Sequence, residues 1–324
     1  MITFVTCRWH GYTMRPLTRR VKNANVSVWH YDRLFRQRRL HGGTWVFTDH
    51  ERLDAYELRL AAECARLLRE GGARVLNDPA RVKTRHNLLR ALKAAGINDF
   101  VSYRADEEPR PSRFPVFIRN ESDHKVPVSD LIGSQEALER ELSRLVEAGQ
   151  PLRGLLVIEQ NCEEIRPGLW RKYASYRVGD AVFANHTVVE YDWLVKYGGG
   201  TRLLSDPAFD AIIAEEAAFV ERNLHNDTVA DAFRVSGIDF GRADFGLVGG
   251  RPQIYEINTN PTLGLATKGV NAVREKTLRL AAERVIEHVG GLDTPGAGSI
   301  AMRSPVLERP QRLPHVLTLS RKRP

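Results

Sequence analysis

The chain has 324 residues, enough for about two or three packed subdomains, and a formal net charge of +8. The charge is concentrated at the ends: residues 1–50 carry +7 and residues 295–324 carry +5, which leaves −4 for residues 51–294. Nucleic acid is therefore not the expected main partner. The three cysteines have no metal or redox spacing and no apolar run could span a membrane, so we expect a cytoplasmic protein.

The first part of the chain reads as a small α/β unit. Short runs rich in β-branched and aromatic residues predict strands at 2–6, 26–29, 44–47 and 74–76. Between the last two strands, apolar residues recur every three or four positions from Leu53 to Leu67, which predicts a helix that ends at Gly71. We assign residues 1–78 to an N-terminal subdomain. It contains no Gly-x-Gly-x-x-Gly, so a dinucleotide fold is not indicated.

The middle of the chain predicts a second subdomain, residues 79–165. Its expected elements are a helix from about 81 to 95, a strand at 114–119, a helix from 135 to 148 and an apolar strand at 154–159. Ser134 is the expected N-cap of the second helix. The apolar strand ends in a carboxylate, Glu159, so the end of this strand is a candidate site.

Residues 166–292 form the third predicted subdomain. We expect strands between 173 and 188, a helix opened by Asp206-Pro207, a pair of strands around 242–258 and a last helix from about 271 to 288. From residue 293 the composition changes to Gly, Pro, Ser and Arg without any period. We therefore predict that residues 293–324 are a largely disordered basic tail.

The strand pair around 242–258 has the pattern of a β-hairpin whose register depends on its loop. A three-residue loop, Gly249–Arg251, places Asp244 opposite Glu256 and Arg242 opposite Asn258, all on one face. A two-residue loop would slip the register and turn the carboxylates to opposite faces. The alternation of polar and apolar residues favours the three-residue loop. The opposite, apolar face would then hold Ala243, Phe245, Leu247, Tyr255 and Ile257.

Two carboxylates that face each other across paired strands repel, so a cation is expected between them. Asp244, Glu256 and Asn258 offer the oxygen ligands with which proteins hold Mg²⁺ beside substrate phosphates. We predict one or two Mg²⁺ ions here, with Mn²⁺ as a substitute. Arg242 on the same face could stabilise a transferring phosphoryl group. The alternative is a charged surface hairpin in which Arg242 simply pairs with Asp244.

Together, Arg242-Ala243-Asp244 and Glu256-Ile257-Asn258-Thr259-Asn260-Pro261 resemble the metal-binding end of the ATP-grasp superfamily, which includes D-alanyl-D-alanine ligases, glutathione synthetases and ribosomal-protein glutamate ligases. The resemblance extends upstream in order. Arg85 and Arg119 stand where those ligases carry phosphate-binding lysines, and Val157–Cys162 is similar to their adenine hinge. Tyr191–Tyr197 is similar to a segment whose lysine lies near the γ-phosphate and the acceptor.

The resemblance implies an α/β ATP-grasp fold, in which two ATP-grasp subdomains follow the N-terminal one and enclose ATP and Mg²⁺. The nucleotide residues that it implies are Arg85, Arg119, Glu159, Gln160, Cys162 and Lys172. The catalytic residues that it implies are Arg242, Lys196 and Asn260. The loop at 120–125 lacks the glycines with which relatives cover the phosphates, so His124 and Lys125 are expected to take that role. The alternative for each of these side chains is an ordinary solvated or packed position.

The resemblance further implies an ATP- and Mg²⁺-dependent ligase that joins a carboxylate to an amine, or to a thiol, through an acyl phosphate. The substrates would be small molecules or peptides. A kinase acting on a small-molecule hydroxyl is the first alternative. A non-catalytic protein that binds a nucleotide or polyanion through its basic ends is the second. Neither the identity of the substrates nor the oligomeric state follows from the sequence.

Overall fold

The computed structural model describes residues 1–308 except 124, 197, 264, 266, 267 and 297. The helices are α1 Arg15–Arg20, α2 Tyr31–Leu34, α3 Ala55–Glu70, α4 Arg85–Ala94, α5 Gln135–Glu147, α6 Gly200–Leu204, α7 Phe209–Arg222, α8 Asn226–Ser236, α9 Ala272–Gly290 and α10 Pro305–Glu308. Within these described ranges, no helix combines the length and the apolar character that crossing a membrane requires.

The strands of the described residues form four separate sheets. In chain order they are β1 Ile2–Thr6, β2 Val26–His30, β3 Arg39–His41, β4 Thr44–Phe47, β5 Arg74–Leu76, β6 Ser102–Arg104, β7 Val116–Asn120, β8 Leu155–Glu159, β9 Glu164–Arg166, β10 Leu169–Val178, β11 Ala181–Glu190, β12 Phe240–Val248, β13 Arg251–Asn258 and β14 Ser299–Ala301. This mixture of helices and sheets confirms the predicted α/β class.

The N-terminal sheet is parallel, with the strand order β2-β1-β4-β5. All residues of β1 and β4 are buried, as expected of strands covered on both faces. Helix α3 packs on one side and begins with a capping box, in which Asp54 accepts from the backbone of Glu57 while the Glu57 side chain accepts from the Asp54 backbone. The elements predicted for residues 1–78 are thus present.

The second sheet is antiparallel, with the order β6-β8-β7, and α5 packs on it behind its Ser134 cap. Helix α4 begins at Arg85, later than the predicted 81, because Pro79–Arg81 forms a 3-10 turn and Thr84 caps the helix. This helix packs between the second and third sheets. Leu89 packs with Leu156 and Ile158 of β8. Leu88 and Leu92 join the core of β12 and β13. The proposed boundaries at 78, 165 and 292 stay a prediction.

The third sheet carries the hairpin and is antiparallel, with the order β11-β10-β12-β13 and β9 paired to β10. Helices α7, α8 and α9 contribute to one core with this sheet through Phe219, Phe233 and Ala281, which pack with Ala243 and Phe245 of β12. One face of the hairpin is therefore fixed by burial, and the other is left to face the second sheet.

The end of the chain departs from the prediction of a disordered tail from residue 293. Strand β14 pairs antiparallel with β3, and α10 follows it. Ile300, Met302 and Leu307 are buried in the core under α3. Burial of these three apolar side chains outweighs the polar composition that surrounds them. The rest of the predicted tail, residues 309–324, lies outside the described residues.

Candidate functional site

The turn of the β12–β13 hairpin has two residues, not the three that we predicted. Gly249 and Gly250 have φ values of +55° and +75°, and Val248 pairs with Arg251. Two consecutive residues with positive φ are typical of a type I′ turn, which matches the twist of paired strands and which glycine adopts at low cost. The prediction of a three-residue loop was wrong because Gly249 and Gly250 form a complete two-residue turn by themselves.

The predicted residue pairs are nevertheless confirmed, because a β-bulge restores the register. Phe245 pairs with Ile254 but Asp244 pairs with Glu256, so Tyr255 is an extra residue on β13. Beyond the bulge, Arg242 pairs with Asn258. The bulge thus brings the two carboxylates opposite each other on the same face.

The bulge also moves Tyr255, which we had predicted on the apolar face with Phe245. Tyr255 instead lines a cleft together with Asp244 and Glu256, and its hydroxyl group donates to the backbone oxygen of Asn161 at 3.3 Å. Gly246 makes room for this ring: a Cβ atom at Gly246 would overlap the Tyr255 hydroxyl oxygen and lie 2.9 Å from Cζ. The position of the Tyr255 ring therefore depends on a glycine in the middle of β12.

Gly246→Ala is expected to lower the free energy of unfolding by about 1–3 kcal/mol, since the added methyl group displaces the Tyr255 ring from its packed position. Urea unfolding of both proteins measures the change. Gly133→Ala is the matched control, because a Cβ atom there meets no other atom within 4 Å. Adding Tyr255→Phe should recover part of the loss. Equal stability of the Gly246 and Gly133 variants would contradict this role of the ring.

Asp244 is held by two cations. The side chain is 2% exposed and accepts from Arg242 Nε at 2.6 Å and Nη2 at 3.0 Å, and Lys172 Nζ lies 3.5 Å away. Burial alone would lower the pKa of Arg242, but the Asp244 carboxylate outweighs it and holds that pKa well above its usual range. This bidentate pair fixes the orientation of the carboxylate.

Glu256 is held from the other side. Arg85, at the start of α4, donates to Glu256 Oε2 at 2.5 Å, and Asn258 Nδ2 donates to Oε1 at 3.1 Å. The second terminal nitrogen of Arg85 donates to the backbone oxygens of Asn120, Glu121 and Asp123 at 3.0–3.1 Å. Arg85, predicted as a phosphate ligand, therefore ties the 120–123 loop to the carboxylate pair.

A cleft of about 970 Å³ opens between the second and third sheets and contains the carboxylate pair. One wall is apolar and aromatic, with the rings of Phe117 and Trp193 at a centroid distance of 5.0 Å. The cations of this first cleft outnumber its carboxylates. They are Arg119, Lys125, Arg171, Lys172 and Lys196, against Glu159, Asp244 and Glu256. An anion with an apolar ring would match both parts of the lining.

Among the cations of the first cleft, Arg119 has the surroundings that most clearly favour a bound anion. Burial, followed by the charge of Arg85, lowers the pKa of Arg119 to about 10. Its Nε atom is buried and has no hydrogen-bond partner among the described residues, although Nη2 donates to the Asp123 backbone at 3.2 Å. A negatively charged ligand in the first cleft would relieve both penalties. His124, predicted to help here, lies outside the described residues.

The adenine hinge predicted from the sequence lines the same cleft, but its carboxylate is already occupied. Glu159 accepts from the backbone nitrogen of Val101, the Tyr103 hydroxyl, and both the backbone nitrogen and the hydroxyl of Ser112, at 2.7–3.1 Å. The side chain thus secures the loop that contains Ser112. Gln160 and Cys162 remain as cleft-lining groups, and Gln160 Nε2 donates to Cys162 Sγ at 2.7 Å.

Two predicted catalytic residues lie outside the cleft surface. Arg242 and Asn260 are absent from the described residues that line the first cleft, whereas Lys196 is present. Arg242 is directed to Asp244. Asn260 Nδ2 donates to Asp49 Oδ1 at 2.9 Å and to Thr6 Oγ1 at 3.2 Å, so this amide joins the end of the hairpin to the N-terminal subdomain.

A second cleft, of about 890 Å³, adjoins the first and was not predicted. Glu256 lines both clefts, and Asn258 and Arg85 line the second. Its opposite wall comes from the N-terminal subdomain, where His50 follows the end of β4. The sequence feature that could have predicted this cleft is the polar run Thr48-Asp49-His50. It follows a parallel strand directly, and ligands bind outside the carboxyl ends of such strands.

The donor set of the hairpin fits Mg²⁺. In the described part of the chain, no group of three or more His, Cys, Asp and Glu side chains is arranged to hold a metal. Asp244 and Glu256 are opposite each other, and Asn258 follows on the same face. Two carboxylates and an amide match an ion that takes its remaining ligands from water and substrate phosphates.

Comparison with solved structures finds similar chains over most of the length. The ATP-grasp ligase PsnB, in complex with a phosphomimetic variant of its minimal precursor, Mg and ADP, is 11% identical at a TM-score of 0.51, over 89% of this chain and 97% of that one. A RimK domain ATP-grasp protein from Sphaerobacter thermophilus is 14% identical at 0.48, over 91% and 99%. D-alanine–D-alanine ligase from Bacillus anthracis, complexed with ATP, is 12% identical at 0.46, over 88% and 97%. No family model and no curated protein matches.

Proposed function

Because the chain has the ATP-grasp fold, as its sequence predicted, we propose that it is an ATP-dependent ligase that joins a carboxylate to an amine. The observation that carries this proposal is the pairing of Asp244 with Glu256 inside a cationic cleft. At this identity the likeness to PsnB concerns the fold alone. The activity is inferred from the side chains.

The first cleft suits ATP in the distribution of its charges and of its apolar surface. The adenine ring would lie against the aromatic wall near Phe117 and Trp193, beside Gln160 and Cys162. Burial raises the pKa of Cys162 to about 11, so its thiol stays neutral beside the base. The phosphates would extend towards Arg119, Lys172 and Lys196.

Asp244, Glu256 and Asn258 would hold Mg²⁺, which supplies charge neutralisation to the β- and γ-phosphates when it is bound. The protein's own part is to keep the carboxylates in place. Arg242 fixes Asp244 by two hydrogen bonds, and Arg85 fixes Glu256. Arg242 would thus act through Asp244 as a positioning residue, and Arg85 in the same way through Glu256.

The reaction would proceed in two transfers. A carboxylate oxygen of the substrate attacks the γ-phosphorus of ATP, and the bond to ADP breaks, which gives an acyl phosphate and ADP. The nitrogen lone pair of the amine then attacks the acyl carbon, phosphate leaves with the bonding electron pair, and the surplus proton of the amine is released. Lys172 and Lys196 would stabilise the negative charge on the transferred group. No side-chain nucleophile is required.

Trapping with hydroxylamine tests this proposal. The protein is incubated with ATP, Mg²⁺, hydroxylamine and pools of carboxylic acids that include amino acids and peptides. We expect a hydroxamate that requires both ATP and a carboxylate, because hydroxylamine captures an acyl phosphate. A phosphorylated product without hydroxamate would identify a kinase instead. Failure of every pool to promote ADP release would contradict the proposed activity altogether.

A further inference from the structure

The second cleft contains two buried polar side chains without a hydrogen-bond partner in the described part of the chain. His50 is 4% exposed, and neither ring nitrogen has a hydrogen-bond partner among the described residues. Thr259 is 3% exposed, and its hydroxyl group is equally without a partner there. Both residues line the cleft. Buried polar groups are normally paired, so two unpaired groups in one cleft indicate a polar ligand that is absent from the structure.

The remaining lining defines the chemistry of that ligand. Much of the surface is apolar. The apolar residues are Leu53, Leu58, Val82, Leu88, Ile238 and Ile257. Three carboxylates, Glu51, Glu121 and Glu256, line the cleft against the two cations Lys83 and Arg85. The excess of negative charge favours an amine over a second carboxylate, and the apolar surface favours a hydrocarbon side chain next to it.

We propose that the second cleft is the acceptor site of the ligase and takes an α-amino compound with an apolar side chain, which His50 and Thr259 bind by hydrogen bonds. This inference rests on the proposed function, since an acceptor requires a ligase. Glu256 belongs to both clefts, so an amine beside Asn258 and Thr259 lies next to the carboxylate pair where the phosphoryl group would be transferred. The first cleft thus binds ATP, and the second cleft binds the amine acceptor.

The backbone that presents His50 is firmly held. Asp49 has a φ of +59°, a conformation that non-glycine residues rarely adopt, and its carboxylate accepts from the Thr6 hydroxyl, the Cys7 backbone and Asn260. Burial lowers the pKa of His50 to about 4, so the imidazole is neutral at pH 7 and offers one donor and one acceptor. Asn260 thus links Asp49, the residue before His50, to the end of the hairpin.

Two sets of probes separate the acceptor from the donor: amino-acid amides carry only the amine, and N-acetyl amino acids carry only the carboxylate. Release of phosphate from ATP is followed for each pair. We expect leucine amide to be a better acceptor than aspartate amide. In both His50→Phe and Thr259→Val, the KM for the amide should rise about tenfold, while the KM for ATP and for the N-acetyl amino acid stays within about twofold of the original protein.

One conservative variant and one control substitution far from the cleft complete the test. Thr259→Ser keeps the hydroxyl group and should restore the KM for the amide, and Thr18→Val, on the exposed face of α1, should leave all constants unchanged. If the KM for the amide is unaffected in both cleft variants, or if the KM for the N-acetyl compound rises instead, the acceptor site is wrongly assigned. If the original protein releases no phosphate with any pair, the proposed function itself fails.

Discussion

Glu256→Gln is expected to lower ATP-dependent turnover by about 10³-fold. Glutamine keeps the shape of the side chain but removes the charge that would bind Mg²⁺ between Glu256 and Asp244. It also leaves the guanidinium group of Arg85, which is 7% exposed, without its carboxylate partner. The rate of ADP release measures the effect, and thermal unfolding shows whether the variant is folded.

Glu139→Gln provides the matched control. Glu139 is a carboxylate that also pairs with an arginine, Arg110, but it lies half exposed on α5 and lines neither the first nor the second cleft. This control should retain full turnover, because an exposed ion pair contributes little to stability. Unchanged ADP release by folded Glu256→Gln, with every active pair of substrates, would show that the hairpin does not hold the reacting phosphates.

Asn77→Ala should lower the free energy of unfolding by about 4 kcal/mol. Asn77 is 1% exposed and lies between the N-terminal sheet and β12. Its Nδ2 donates to the backbone oxygens of Phe47 and Phe240 at 3.0 and 2.7 Å, and its Oδ1 accepts from the backbone nitrogens of Asp239 and Phe240 at 2.8 and 2.9 Å. Alanine leaves four backbone groups, three of them in buried contacts, without these partners.

The φ of Asn77 is +55°, which alanine tolerates poorly, so Asn77→Gly separates two causes. Glycine removes the same hydrogen bonds without the backbone strain, and we expect it to be about 1 kcal/mol more stable than the alanine variant. Urea unfolding measures both. Asn87→Ala on the exposed face of α4 is the control and should change stability by less than about 0.5 kcal/mol. A similar small change in Asn77→Ala would refute the role of this side chain.

The sequence pattern predicted the fold well where periodicity and burial agree. Strands β1, β4 and β8 are short buried runs rich in β-branched, aromatic or aliphatic residues, and α5 has both its cap and its apolar stripe. These elements were therefore found near their observed bounds. The carboxylate pair Asp244–Glu256 was also predicted, although for an incomplete reason. A shorter turn and a bulge at Tyr255 have opposite effects on the register, and alternation of polar residues reveals only their net result.

Other features depend on contacts between distant parts of the chain, which local patterns do not contain. The pairing of β14 with β3 joins residues about 260 positions apart in the sequence, and a Pro- and Gly-rich segment gave no sign of it. The partners of Asn260 and Glu159 lie on other elements, so the sequence could not show that both side chains are already hydrogen-bonded. His50 illustrates the converse case, in which a candidate site is revealed only by burial without a hydrogen-bond partner among the residues that the structure describes.

In the proposed function, the hairpin face of Asp244, Glu256 and Asn258 holds Mg²⁺ and the phosphates of ATP. Calorimetric titration with a non-hydrolysable ATP analogue tests it most directly, with and without Mg²⁺, in the original protein and in Glu256→Gln. We predict binding that requires Mg²⁺ and that weakens at least about tenfold in the variant. Absence of binding to the original protein, or equal affinity of both proteins with and without Mg²⁺, would contradict this role of the hairpin.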